Sequence, residues 1–138
     1  MAAEPWIDFG DVDYWQELIK QDIALAKSLA RANQRFMSGY KCYEAAEKIV
    51  SCWYVSDHSA DLLPEVESLS DYAVMLSQLD LLTPQTNSLF AALDTYKRMS
   101  NSPNEKEEFS SGLTQELNEK IIQETEEFYS ALKEKLAK

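Results

Sequence analysis

Hydrophobic residues recur every three or four positions through most of the chain, the spacing of one face of an α-helix. The first such stretch runs from Asp13 to about Arg31, and Asp22 interrupts its apolar side. Its apolar positions are Trp15, Leu18, Ile19, Ala26 and Leu29. Asp11 and Asp13 are both suited to cap its N-terminus, because an aspartate there accepts hydrogen bonds from the first free N–H groups. The pattern predicts an amphipathic helix that ends at a break near Asn33.

A second helical pattern runs from Phe36 to about Val55 and is apolar around much of its circumference. Its inward positions are Phe36, Tyr40, Tyr43, Ala46 or Glu47, Val50 and Trp53, and its other side carries Ile49 and Tyr54. A helix that lacks a wide polar face is buried among other elements. We therefore expect this helix at the centre of a bundle. Asp57, His58 and Ser59 predict a turn after it.

Capping signals predict two helices in the middle of the chain. Ser70 has the residue type of an N-cap, and the residues after it predict a short helix that ends near Leu82. Thr83-Pro84 is a stronger start signal, since threonine caps a helix and proline is favoured at its first position. The helix that follows is predicted to end near Met99.

The last third of the chain contains a predicted break and one long helix. Residues 100–104 predict a loop, and residues 105–112 are charged and predict a flexible stretch. The final helix is predicted from about Leu113. Its apolar stripe consists of Leu117, Ile121, Thr125, Phe128, Leu132 and Leu136. No alternating pattern of the kind that marks a strand competes with these helices.

Composition supports one helical domain. The chain has 138 residues, of which 45% are hydrophobic and 11% aromatic, and this excludes a disordered chain. Its 3 glycines and 4 prolines are too few for a many-stranded sandwich or barrel with a turn about every ten residues. We predict an all-α, up-down bundle of four to five helices over residues 13–138, preceded by a lead-in over 1–12. Neither a long apolar run nor a signal-like N-terminus is present, so we expect a cytoplasmic protein without a membrane span.

The charge of the chain is strongly negative. Thirteen Lys and Arg residues against 24 Asp and Glu residues give a net charge of −11. Because a protein that binds nucleic acid needs basic residues to neutralise phosphates, this argues against nucleic-acid binding by the isolated chain. One basic segment contains Lys27, Arg31, Arg35, Lys41 and Lys48. These residues could complement acidic segments of the same chain or form a local anion site.

Few residues are candidates for catalysis or metal binding. His58 is the one histidine, and its position in a predicted turn favours a surface residue over a catalytic base. Cys42 and Cys52 lie ten residues apart on one predicted helix, about 15 Å along the axis. That distance is too long for a disulfide, so we expect buried thiols in a reducing compartment. Acidic pairs such as Glu124 and Glu127 lack the Glu-x-x-His pattern of di-iron bundles and predict a solvated face. We expect neither a metal nor a cofactor.

The second helix contains the most informative polar residue. Glu47 falls near its inward stripe, and Tyr40, Tyr43 and Tyr54 place hydroxyl groups around it. A carboxylate near a core must find a hydrogen-bonding partner or change its pKa. The pattern leaves two interpretations open, a structural hydrogen-bonding group and the lining of a ligand site.

Four segments of this chain resemble the helices of HEPN (higher eukaryotes and prokaryotes nucleotide-binding) domains. The most distinctive is Tyr43-Glu44-Ala45-Ala46-Glu47-Lys48-Ile49-Val50, which is similar to the Q-A-A-E-K motif of the family's second helix. The first predicted helix, with Asp22, resembles the family's first helix. The segment 70–76 resembles the start of the third, and Tyr96-Lys97-Arg98 before Pro103 resembles the end of the fourth. The resemblance spans nearly the whole chain.

The resemblance implies a five-helix bundle that forms homodimers. Many HEPN domains accompany a minimal nucleotidyltransferase, and others are metal-independent ribonucleases with an Arg-x4-6-His motif. In the ribonucleases the arginine binds the scissile phosphate and the histidine assists attack by the ribose 2′-hydroxyl. Arg98 stands at the arginine, but residues 99–112 contain no histidine, and Ser70 replaces the usual histidine before the third helix. The chain is therefore identified as a divergent HEPN-like protein without this catalytic motif.

Three functional hypotheses follow. The first is a non-catalytic binding module that acts as a homodimer, as the companion of a nucleotidyltransferase, or both, with a nucleotide as a possible ligand. Its candidate contacts are Tyr40, Glu47, Lys48, Tyr96, Lys97, Arg98 and Asn101. The second is a toxin-type, metal-independent ribonuclease in which Arg98 binds the phosphate. The third is a plain dimerising interaction protein, in which Arg98 only complements the dipole at a helix C-terminus.

Overall fold

The computed structural model describes residues 12–58, 68–71 and 83–137, and the regular structure in these ranges is helical. The helices are α1 (Val12–Arg31), α2 (Arg35–His58), α3 (Pro84–Ser100), α4 (Pro103–Ser111) and α5 (Gln115–Ala137). Residues 69–71 are helical as well, and the described ranges contain no strand. The predicted all-α class is confirmed. The proposed cap at Asp11 and most of the helix predicted up to Leu82 lie outside the described residues.

The long helices alternate in direction. Lys48 of α2 contacts Asp22 of α1. Ser38, which comes before Lys48 on α2, donates a hydrogen bond to the carbonyl of Ala26, which comes after Asp22 on α1, so the two helices are antiparallel. Gly39, near the start of α2, lies against Tyr96, near the end of α3. Further contacts join α5 to α1, α2 and α3, and α4 packs on α3. The arrangement is the predicted up-down bundle.

α2 forms the centre of the core, as its apolar circumference predicts. It packs against α1, α3 and α5. Ala45 and Ala46 are fully buried, and their small side chains let the neighbouring helices approach closely. Trp53 of α2 stacks on Phe128 of α5 with ring centroids 6.4 Å apart, and Phe128 meets Phe90 of α3 edge-on at 5.4 Å. One continuous hydrophobic cluster therefore joins the three helices.

Local backbone chemistry determines where α1 ends and where α3 begins. The break predicted near Asn33 is confirmed, since Asn33 has a left-handed φ of 62°. The N–H of Gln34 donates to the carbonyl of Leu29 and that of Asn33 to Ala30, the bonding pattern of a Schellman motif. At the start of α3, Thr83 and Thr86 exchange side-chain and backbone hydrogen bonds in a capping box.

Two predicted irregular segments are helical, so those predictions were wrong. Residues 103–111 form α4 instead of a loop and a flexible stretch. Pro103 occupies its first turn, and Phe109 packs edge-on against Tyr96 with ring centroids 5.2 Å apart. None of the residues of α4 is fully buried. A helix that buries no face needs no apolar stripe, so the sequence shows only weak apolar periodicity here. α2 also continues through Asp57 to His58, where a turn was predicted.

Two individual positions differ from their predictions. The cap of the short helix is Ser68, whose Oγ accepts a hydrogen bond from the N–H of Asp71 at 3.0 Å; Ser70 lies inside the helix. On α5, Leu117 was predicted to face inward but is 39% exposed, and the neighbouring Asn118 is buried instead. Asn118 is accommodated there because its amide donates to Ser38 of α2.

Most of the basic segment complements other parts of the chain. Lys27 pairs with Glu126 of α5 at 2.6 Å, and Lys48 pairs with Asp22 of α1 at 2.7 Å. Lys41 pairs with Glu44 on its own helix, and Arg35 donates to the carbonyl of Leu113. These contacts favour intramolecular complementarity for four of the five residues. The fifth is Arg31 in the last turn of α1.

Candidate functional site

Four polar or aromatic residues come together where α2 meets α3. Gly39 has no side chain, so the ring of Tyr96 lies directly against the backbone of α2. This close approach places Lys97 of α3 over the ring of Tyr43 of α2, with Nζ 5.3 Å from the ring centroid. One turn away, Tyr40 contacts Tyr43 with ring centroids 5.9 Å apart. The Tyr43 hydroxyl donates to Glu47 at 3.2 Å. We call Tyr40, Tyr43, Glu47 and Lys97 the α2–α3 cluster.

Glu47 has the partner that its position near the core requires. The hydrogen bond from Tyr43 satisfies one carboxylate oxygen in a half-buried setting. Burial raises the pKa of Tyr43, and the negative charge and hydrogen bond of Glu47 raise it further. Tyr43 therefore remains protonated and acts as a hydrogen-bond donor at neutral pH.

A charged residue that the sequence did not indicate lies beside this cluster. Asp94 is one turn before Lys97 on α3, and its carboxylate accepts hydrogen bonds from the N–H groups of Leu69 and Ser70 at 2.7 and 3.0 Å. Its charge also contributes to the raised pKa of Tyr43. No local motif marks this role, because the groups that Asp94 caps lie 24 and 25 residues earlier in the chain.

The other predicted site residues are not part of the cluster. Lys48 faces α1, where it pairs with Asp22. Tyr96 is 1% exposed, and burial raises its pKa to about 12. Its ring packs against Phe36 and Phe109, so Tyr96 belongs to the core, and its buried hydroxyl has no hydrogen-bond partner in the described ranges. Arg98 and Asn101 are exposed at the end of α3, where the N–H of Asn101 donates to the carbonyl of Arg98.

The remaining reactive groups are buried. Cys42 and Cys52 are free and buried thiols, as predicted. Burial raises the pKa of each to about 12, which keeps both in the unreactive thiol form at neutral pH. Among the described residues, no three His, Cys, Asp or Glu side chains come together as a metal site would require. None of the described helices has the length and apolar composition needed to cross a bilayer.

The geometry of the α2–α3 cluster suits recognition. Tyr40 offers a partly exposed aromatic surface, Lys97 offers a positive charge, and Glu47 offers an acceptor within one turn of both rings. An aromatic surface beside a cation can hold a planar ring and an anionic group of one ligand. No protein-family model, curated protein or solved structure matches this chain.

Proposed function

We propose that this chain is a non-catalytic, HEPN-like binding module that acts as a homodimer or beside a nucleotidyltransferase and binds a nucleotide. The observation that supports it most is the convergence of Tyr40, Tyr43, Glu47 and Lys97 at the junction of α2 and α3. Tyr43, Glu47 and Lys97 come from the two segments that resemble HEPN motifs, Tyr43 to Val50 and Tyr96 to Arg98, and Tyr40 lies three residues before the first.

The base and the phosphate of a nucleotide each have a matching group in the cluster. A base would stack on Tyr40, which is half-exposed and already part of an aromatic stack with Phe36 at 6.4 Å. A phosphate would be attracted to Lys97, which forms a cation–π contact but no ion pair with any residue of the described ranges. The carboxylate of Glu47 would accept a hydrogen bond from an amino group of the base.

The described residues give less support to catalysis. A general acid or base works best with a pKa near the operating pH. The cysteine thiols and Tyr96 have a pKa of about 12, and that of Tyr43 is raised as well. The ribonuclease hypothesis rests on Arg98 alone, and this residue lacks the histidine partner that the motif requires.

Titration calorimetry with ATP and AMP tests the binding proposal. We expect one nucleotide per chain and expect Lys97→Ala to weaken binding by about tenfold, because it removes one charged contact to the phosphate. Lys133→Ala is the matched control, since Lys133 also lies over a tyrosine ring, that of Tyr129 on α5, but outside the cluster. No measurable binding, or equal binding by the Lys97→Ala variant, would refute a nucleotide site at the cluster.

One observation favours the plain dimerising protein as a second candidate. Leu18, Leu25 and Leu29 lie seven and four residues apart on one side of α1, and Leu25 is 43% exposed. A second copy of the chain would bury this stripe. Light scattering on Leu25→Glu should then show the chain mass of 15.8 kDa, against twice that mass for the wild type. A dimer that survives the substitution would exclude this face as the interface.

A further inference from the structure

A groove separates α1 from α5 on a different side of the molecule from the α2–α3 cluster. It encloses about 480 Å³, and its lining includes Ala30, Arg31, Asn118, Glu119 and Ile122. This volume lies within the range of about 300–1,000 Å³ that small-molecule sites occupy. The lining is mostly polar, and Ala30 and Ile122 supply its apolar part.

Asn118 presents a fixed hydrogen-bond acceptor to this groove. The residue is only 3% exposed, although it is a carboxamide. Its Nδ2 donates to Ser38 Oγ at 2.9 Å, and Ser38 uses its one hydroxyl hydrogen to donate to the carbonyl of Ala26 at 2.7 Å. Ser38 must therefore accept from Asn118, which determines the orientation of the amide. No residue in the described ranges donates a hydrogen bond to Asn118 Oδ1, so this oxygen is available to accept one from a ligand in the groove.

Asn118 Oδ1 is not among the fully buried atoms that lack a partner, so it is accessible from solvent at the groove that Asn118 lines. Asn118 lies on the buried face of α5 with Ile121, Ile122 and Thr125, a position that an apolar residue usually occupies. A ligand N–H, or water in its place, would satisfy Oδ1.

The two walls of the groove have opposite charge. Arg31, in the last turn of α1, forms no ion pair with any residue of the described part of the chain. Glu119 of α5 accepts a hydrogen bond from Gln115 at 3.0 Å. Further along the groove, Lys27 and Glu126 pair across it at 2.6 Å, so their charges compensate each other. Arg31 and Glu119 line the same groove but do not form an ion pair with each other.

We propose that this groove binds a small ligand that carries an amine or amide N–H donor and an anionic group. The N–H group donates to Asn118 Oδ1, and Glu119 accepts from the same or an adjacent nitrogen. The carboxylate or phosphate of the ligand pairs with Arg31, whose fork of N–H donors matches either group. The carbon skeleton lies against Ala30 and Ile122. An amino acid and an amino-bearing nucleotide share this chemistry and differ in the anion.

A titration followed by ¹⁵N–¹H NMR tests the groove and distinguishes the two sources. The probes are L-glutamine, with an amine and a carboxylate, and AMP, with an exocyclic amine and a phosphate. Saturable shifts of the Ala30, Asn118 and Ile122 amide signals by one probe support the proposal and identify the anion. If neither probe shifts these signals at about 10 mM, above the weak end of metabolite affinities, the proposal is wrong.

Four variants separate binding in the groove from other effects. Arg31→Gln and Glu119→Gln should each weaken the probe by about fivefold or more, because each removes one charged contact. Lys20→Gln on α1 and Glu116→Gln on α5 are exposed controls outside the groove and should bind like the wild type. Equal affinity of the groove variants and the controls would overturn the proposal.

The outcome is independent of the function proposed for the α2–α3 cluster. Lys97→Ala should leave the shifts of Ala30 and Ile122 unchanged if the groove is a separate site. If AMP shifts Tyr43 and Lys97 while neither AMP nor L-glutamine shifts Ala30, the cluster is supported and the groove is refuted.

Discussion

Gly39 of α2 and Tyr96 of α3 are in direct contact, and no larger residue fits at position 39. A Cβ built on Gly39 would lie 2.7 Å from Cδ1 of the Tyr96 ring, and Cβ atoms in proteins almost never approach another heavy atom closer than 3.0 Å. This contact determines the distance between α2 and α3. It therefore also places Lys97 over Tyr43 at the candidate site.

Gly39→Ala should destabilise the protein although alanine is the better helix former. Alanine normally stabilises a helix by up to about 1 kcal/mol relative to glycine. Here the methyl group overlaps the buried Tyr96 ring, and such overpacking costs about 1–3 kcal/mol. Urea unfolding should show a lower free energy of unfolding for this variant.

Gly112→Ala is the matched control for that substitution. At Gly112 the backbone has a φ of −89°, and an added Cβ would meet only the carbonyl oxygen of Phe109 at 3.6 Å. The free energy of unfolding should stay the same or rise slightly. A stabilising effect of Gly39→Ala similar to that of Gly112→Ala would contradict the close contact with Tyr96.

Asp94→Ala should loosen the start of the helix at residues 69–71. The carboxylate accepts two backbone hydrogen bonds there, and losing a cap of this kind costs about 1–2 kcal/mol. Hydrogen exchange of the Leu69 and Ser70 amides should accelerate more than that of α5. Asn87→Ala, an exposed change on the same helix, should leave these amides unaffected. Unchanged protection in Asp94→Ala would mean that the cap is dispensable.

The ion pair between Asp22 and Lys48 should contribute more than an exposed pair on α1. Its two side chains are 15% and 24% exposed, and they join α1 to α2 at 2.7 Å. A double-mutant cycle with Asp22→Asn and Lys48→Met should give a coupling of about 1–2 kcal/mol. The same cycle on Glu17 and Lys20, whose side chains are 62% and 54% exposed, should give none that is measurable. Equal couplings would show that burial does not strengthen the Asp22–Lys48 pair.

Stability should fall in mildly alkaline solution because of the buried thiols. An ordinary thiol has a pKa of 9.0, whereas burial raises that of Cys42 and Cys52 to about 12. Between these two values the unfolded chain has lost the thiol protons and the folded chain keeps them. The folded state then binds more protons, so the free energy of unfolding decreases as the pH rises. Below pH 9.0 both states are protonated, and this loss is absent.

Urea unfolding at about pH 8 and about pH 10 measures this effect, since these values bracket the ordinary thiol pKa. The variant Cys42→Ala/Cys52→Ala should lose less stability over this range than the wild type, although its tyrosines still titrate. An equal loss in both proteins would show that the thiols do not cause it.

Local chemistry was sufficient to predict most helices and their order. Thr83 and Pro84 mark the start of α3 because the cap uses only residues within one turn. The break near Asn33 depends on its own left-handed φ. The apolar circumference of α2 predicts its central position, because burial on several sides requires it.

Features that depend on distant partners could not be predicted in this way. α4 is stabilised by Phe109 against Tyr96, not by an apolar stripe of its own. Asn118 can be buried because its amide donates a hydrogen bond to Ser38, which lies 80 residues earlier in the chain. Asp94 caps backbone groups of another segment. Of the predicted site residues, Tyr40, Glu47 and Lys97 lie together. Tyr96 is buried in the core, and Lys48, Arg98 and Asn101 lie on other faces of their helices.

Native mass spectrometry of the protein purified from its own cells tests the proposed binding function most directly. The chain of 15.8 kDa should appear as a homodimer or in a complex with a nucleotidyltransferase, which its peptide fragments would identify. Collisional activation of the complex should release a nucleotide. Lys97→Ala should reduce the nucleotide-bound fraction. A monomer at 15.8 kDa with no nucleotide and no nucleotidyltransferase would contradict the proposed function.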